Sequence, residues 1–179
     1  MEIRLPEMDS PLAFGAPAKP LRPMKEIVVT LKELEKRVKI IQDVEEIKKM
    51  HRYYIFCFSK RQWKEMIDCF SEDAVAEIGD HGVWKGKDKI AILISEVIAG
   101  RNLKIKPKGG HILINPIITV EGDTAKGDWF LSRFIYDYNS PGGPAPKLDR
   151  GRYDCEYVRE HGKWKFSYLK WIFPWPGPE

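Results

Sequence analysis

The 179-residue sequence has no apolar run approaching the roughly 20 residues that would cross a bilayer, and it begins with neither the basic start nor the apolar core of a secretory signal. Cysteine is scarce. Cys57, Cys69 and Cys155 are an odd number without metal-ligand spacing, and each lies inside an apolar pattern, so they read as reduced packing residues and the chain as cytoplasmic. Charge of one sign is also lacking: the net +4 comes from Lys and Arg interleaved with Asp and Glu, which argues against nucleic acid as a partner. No phosphate-cradling glycine loop, serine triad, metal cluster or internal repeat is present, so neither cofactor nor metal is expected. What the chain does have is 43% hydrophobic residues, in a length suited to one domain with a core and room for a pocket.

Residues 1–24 carry Pro6, Pro11, Pro17, Pro20 and Pro23 without helical or strand period, and predict an extended arm. The domain proper is expected over 25–173, with residues 174–179 a proline-rich tail whose Trp175 folds back over an apolar surface. Leu31, Leu34, Val38 and Ile41 form an amphipathic stripe, which could pack on its own domain or on another subunit. Asp43, with Glu46 as capping partner, opens a second helical run striped by Val44, Ile47, His51 or Met50, Tyr54 and Phe58. Ser59 and Gln62 read as a further capping box, ending that run near Phe58 and starting a short helix with Trp63, Met66, Ile67 and Phe70. Residues 71–73 close the short helix, 74–78 predict a strand, and 86–99 a third helix turning Ile90, Leu93, Ile94 and Val97 or Ile98 inward.

The second half predicts strands. One begins at Gly109-Gly110-His111 and runs to Val120, with Pro116 marking a bulge or an edge. The stretch 120–138 should form the hairpin at the middle of a bent antiparallel sheet, and two aromatic-rich strands joined at His161-Gly162 continue it. Between them, residues 139–149 read as a Gly- and Pro-rich loop. Helices before strands make an α+β domain, and a curved sheet closed by helices leaves an apolar hollow.

Four features could carry chemistry. His111, after two glycines and facing the concavity, has a side chain able to abstract a proton near neutral pH, or to serve as a hydrogen-bonded structural histidine. Tyr54 offers a phenol on the buried stripe, with His51 one turn earlier on the same face. His81, in a polar turn, reads as a solvated residue. Phe58, Trp63, Trp129, Tyr153, Tyr157, Tyr168 and Trp171 are dense enough to line a flat hydrophobic pocket or simply to fill the sheet.

The run LKELEKRVKIIQDVEEIKKMHRYYIFCFSKRQWKEMIDCFSEDAV, followed by GGH, TAKGDWFL and YDCEYVREHGKWKFSYLKW, resembles the SnoaL-like branch of the nuclear transport factor 2-like superfamily. Within it the likeness is to bile acid 7α-dehydratase, and more distantly to scytalone dehydratase and hexachlorocyclohexane dehydrochlorinase. The resemblance implies a cone-shaped, curved antiparallel (mixed) sheet closed by N-terminal helices. It also implies a cofactor-independent dehydratase- or isomerase-type lyase on a hydrophobic, polycyclic or aromatic molecule, or a ligand-binding or assembly module, with no nucleic acid or membrane span, assembled as a homotrimer or homodimer. The family's proton-abstracting histidine falls on His111 and its substrate-contacting tyrosine on Tyr54. Its orienting aspartate falls on Ser59, which carries no charge, and an arginine of its last strand falls on or near Phe173. Asp128, Asp154 and Glu156 are the carboxylates that could replace the aspartate. Tyr54 and Ser59, five residues apart, could face one pocket only if the helix has ended by Ser59.

Overall fold

The structure is a computed structural model that describes residues 30–100, 110–137, 141–143, 145–173 and 175, with residues 135–137 as backbone only. The expected arm 1–24, the connection 102–108 and most of the tail lie outside the described residues.

One continuous helix, α1 (Leu31–Lys60), replaces the two expected. Its N-cap is Thr30, whose hydroxyl accepts from the Glu33 amide. Asp43 does not start a helix. It is buried within one, where Lys39, Arg159 and the Trp164 indole donate to its carboxylate, and such partners are what allow a charge to be buried. The early stripe of Leu31, Leu34, Val38 and Ile41 is exposed, and the face packed on the sheet starts at Asp43 and continues through Ile47, His51, Tyr54 and Ile55. The capping box at Ser59 is also absent. Ser59 stays helical and donates its hydroxyl to the Ile55 carbonyl, and the helix ends two residues later with Arg61 in the left-handed region and the Gln62 amide on the Cys57 carbonyl. A local Ser-x-x-Gln signal therefore lost to a Schellman-type stop.

The short helix α2 (Trp63–Ile67) leads directly into β1 (Phe70–Ile78), which begins four residues earlier than expected. A 3-10 turn and β2 (Val83–Lys85) follow. Helix α3 (Lys87–Ile92) continues as a π-helical stretch, Leu93–Ile98, and buries Ile90, Leu93, Ile94 and Ile98 as expected. Then come β3 (Gly110–Glu121), β4 (Thr124–Asp137), β5 (Ala145–Glu160) and β6 (Lys163–Ile172).

The six strands form one curved mixed sheet, ordered β2-β1-β6-β5-β4-β3, parallel only between β1 and β6, and not closed into a barrel. Hence the β3–β4 hairpin lies at an edge, and β5 and β6 hold the sheet's centre. Pro116 sits where the β3–β4 register shifts, between Ile114 and Ile117, so the proline marks both the bulge and the edge strand. The β5–β6 turn places His161 and Gly162 at positive φ. Residues 145–149, expected in a loop, are strand: Pro146 lies opposite Tyr136, and the ladder with β4 is continuous to Ala145. Trp175 does fold back, its ring centroid 4.9 Å from that of Phe130.

The concave face carries Ala125, Gly127, Trp129 and Leu131 from β4, Gly151, Tyr153, Cys155 and Tyr157 from β5, and Trp164, Phe166 and Leu169 from β6, all buried under α1. The three cysteines are buried and free. Complete burial of Trp129, Tyr157, Phe70 and Phe166 contributes about 2–3 kcal/mol each. Among the described residues, no helix is long and apolar enough to cross a membrane.

Candidate functional site

The hollow has a polar floor. The Trp129 indole donates to the Tyr157 hydroxyl at 2.8 Å, and that hydroxyl lies 3.0 Å from Nδ1 of the wholly buried His51. Because the hydroxyl accepts from the indole, its own proton is free to go to the imidazole, a far stronger acceptor than the Cys155 sulfur also beside it. The ring proton of His51 therefore resides on Nε2, which is buried without a partner among the described residues. Burial lowers the His51 pKa to about 3, so the ring is neutral. Tyr54 and Tyr153 border it, their ring centroids 6.1 and 5.3 Å from its own. Burial holds both phenols above their ordinary pKa.

Nearer the rim, His111 opens β3 opposite Arg133 of β4, which in turn lies opposite Asp149 of β5. This alignment gives one transverse row of the concave face an imidazole, a guanidinium and a carboxylate. Arg133 donates to Asp149 at 2.9 Å, and its guanidinium carbon lies 4.2 Å from the Phe173 ring centroid and 5.7 Å from that of Trp171. The ring of His111 meets Phe58 edge-on at 4.9 Å. Burial first, and the Arg133 charge second, lower the His111 pKa to about 4. His111 is thus a neutral base at physiological pH, and among the described residues the carboxylate of its row, Asp149, is engaged by Arg133.

A cavity of about 350 Å³ opens between α1 and β3, lined by Arg52, Ile55, Phe56, Ser59, His111, Ile112 and Leu113. Its size is that of a small-molecule site. Ser59 and His111 share it. Tyr54 does not: with the helix continuing past Ser59, the phenol turns to the opposite side, against Phe70 and Phe166.

The remaining expected residues divide. Trp129, Tyr153 and Tyr157 line the concavity beside His51 and Trp171 lies by Arg133, while Phe58 and Trp63 pack edge-on with centroids 6.0 Å apart. Tyr168 falls outside: a register shift in β6 puts it on the convex side, donating to Glu77. Asp128, Asp154 and Glu156 also occupy the convex side, since they alternate with the buried Trp129, Tyr153, Cys155 and Tyr157, so none can orient His111. Phe173, where an arginine was expected, instead lies under the guanidinium of Arg133. Arg133 was missed by the sequence reading; the available signal was its alternation with Trp129 and Leu131.

Residues 39–170 match the SnoaL-like domain, and the chain belongs to that family. No curated protein matches. Among solved structures, a nuclear transport factor 2-like protein with a cystatin-like fold from Novosphingobium aromaticivorans superposes with a TM-score of 0.63 at 20% identity, over 80% of this chain and 90% of its own. A scytalone dehydratase candidate from the same organism gives 0.59 at 16%, over 73% and 83%. Hexachlorocyclohexane dehydrochlorinase LinA-type3 from Novosphingobium barchaimii gives 0.59 at 21%, over 78% and 94%. At such identities the likeness is one of fold, and the finer likeness to bile acid 7α-dehydratase rests on sequence motifs alone.

Proposed function

We propose that this SnoaL-like domain is a cofactor-independent lyase of the dehydratase or isomerase type, acting on a hydrophobic, polycyclic or aromatic small molecule held in the sheet concavity. The observation that carries the reading is a neutral imidazole, His111, at the wall of an apolar cavity of about 350 Å³. His111 would remove a proton next to a carbonyl. The phenols of Tyr54 and Tyr153 would bind an oxygen from the concavity side, and Ser59 would add a weaker polar contact in the cavity. His51, Phe58, Trp63, Trp129, Tyr157 and Trp171 would shape the pocket. The solved relatives include a dehydrochlorinase and a scytalone dehydratase candidate, which supports elimination chemistry.

One observation favours the second reading, a ligand-binding or assembly module: no described carboxylate faces His111 except Asp149, and Asp149 is engaged by Arg133. The reading extends to a cytoplasmic homodimer or homotrimer. Exposed apolar residues on the convex face, Ile112, Ile114, Phe134 and Leu148, with Leu31 and Ile41 on α1, support self-association.

Native mass spectrometry during incubation with hydrophobic β-hydroxy ketones tests the activity and the subunit number together. Loss of water from a panel member with the wild type, and unchanged retention of it by His111→Ala, is the expected result. Equal retention without turnover by both proteins rejects the lyase in favour of the binding module.

A further inference from the structure

The buried polar atoms that lack a partner are not a random set. Six side-chain atoms are buried without a hydrogen bond among the described residues. Three of them, Arg152 Nε, Asp154 Oδ1 and Glu160 Oε2, belong to residues in ion pairs away from the hollow, Arg152 with Asp154 at 2.7 Å and Glu160 with Lys165 at 2.8 Å. The other three are His51 Nε2, Arg133 Nε and Trp171 Nε1, and all three face the concavity. Indole and guanidinium nitrogens can only donate, and the Trp129–Tyr157–His51 chain makes His51 Nε2 a donor as well. Among the described residues, the hollow therefore presents unmatched donors and no unmatched buried acceptor.

Two of the donors share a patch. The Arg133 guanidinium carbon is 5.7 Å from the Trp171 ring. Gly151, the next inward residue after Asp149 on β5, lets the indole N–H pack this close: a Cβ there would come within 3.1 Å of Trp171 Nε1 and 3.0 Å of the Ile172 carbonyl oxygen. The patch also keeps a net positive charge, since Arg133 and Lys147 together face only Asp149. An unpaired buried donor has lost its water without a replacement, and an acceptor brought by a ligand would offset that cost.

We infer that the ligand is an acid, a ring compound whose carboxylate is taken by Arg133 and Trp171, with a second acceptor oxygen able to reach His51. The inference rests on the concavity being the ligand site, and it adds the chemical class of the ligand. The carboxylate would accept from Arg133 Nε and Trp171 Nε1, charge-assisted bonds of the kind that discriminate strongly against a neutral analogue. It would also offset the Arg133 charge that acts on His111, moving that imidazole toward the range where a general base works well.

The test is titration calorimetry of the full chain with two isosteric probes, 2-naphthoate and 2-naphthalenemethanol. The wild type should prefer the acid by about tenfold or more, R133M should abolish the preference while still binding the alcohol, and W171F should lose about three- to tenfold for the acid only. Naphthoate should also raise the titration midpoint of the His111 ring, followed by NMR. Equal affinities for the two probes, or a preference that survives both substitutions, overturn the inference and leave the pocket intact. If neither probe binds, the concavity is not the ligand site and both readings fall. Should R133M not fold, W171F, which keeps an aromatic ring and removes the indole N–H, decides through the loss for the acid but not for the alcohol.

Discussion

Arg159 and Arg133 are stacked on aromatic rings at opposite ends of the β4–β5 ladder, and they have opposite fates. Arg159 lies 4.5 Å from the Trp164 ring centroid and is ringed by carboxylates, Asp43 of α1, Glu46 one turn on, and Asp123 of the β3–β4 turn. Those contacts tie the long helix to the sheet: Lys39, Arg159 and the Trp164 indole lower the Asp43 pKa against the effect of its burial, and the carboxylates around Arg159 raise its own. Arg133 has one carboxylate, shared with Lys147, and a buried Nε without a partner. An arginine with its donors matched is a clamp, whereas one with a donor left over is available to something from outside.

The largest effect that would break this contrast is on stability. Arg159→Met should destabilise by about 3–5 kcal/mol, because it strips Asp43 of its main partner inside the fold. Arg133→Met should cost about 1 kcal/mol, since Asp149 keeps Lys147. Urea midpoints for the two variants measure the difference, and equal losses would erase the distinction.

Acid sharpens the comparison next. His51 and His111 are held neutral, with pKa values lowered from 6.5 to about 3 and about 4, so the unfolded chain takes up protons first as pH falls. Their contribution to stability is complete above pH 6.5 and declines as pH falls toward those values. Between pH 6.5 and about 5.5 the carboxylates with lowered pKa are ionised in the unfolded chain as well as in the fold, so a falling Tm in that window reports the histidines. His111→Gln should flatten the slope while leaving the His51 share, seen by differential scanning calorimetry across that range.

Ser59 should matter least. Ser59→Ala removes an exposed hydroxyl bonded only to its own helix, and should change stability by no more than about 0.5 kcal/mol. Ser59→Asp should raise the His111 midpoint above about 4, because the new carboxylate would share its cavity. An unmoved midpoint by NMR would mean that the two side chains do not communicate.

Much of the fold was legible. The alternation in β4 and β5, the turn at His161-Gly162 and the bulge at Pro116 are short-range signals that the chain carries locally, and the structure has all of them. The helix boundaries were not legible, because Asp43 and Ser59 carry good capping chemistry that long-range contacts override: Arg159 and Trp164 lie over a hundred positions from Asp43 along the chain. The loop expected at 139–149 was misread for a related reason. Pro and Gly weaken a strand locally, yet the partner strand β4 runs alongside as far as residue 137 and holds residues 145–149 in register.

Of the candidate site, the sequence by itself determined which residues are chemically able: His111 after its glycines, the stripe of His51 and Tyr54, and a set of aromatics on alternate positions. Periodicity reports which face a side chain is on, and that information is local. Only the tertiary structure decided how those residues are combined. It put Ser59 with His111 but turned Tyr54 away, sent Asp128, Asp154 and Tyr168 to the convex side, and brought Arg133 beside His111. Strand order, register shifts and helix length set these outcomes, and each depends on pairings between distant segments whose energies no short window of sequence contains.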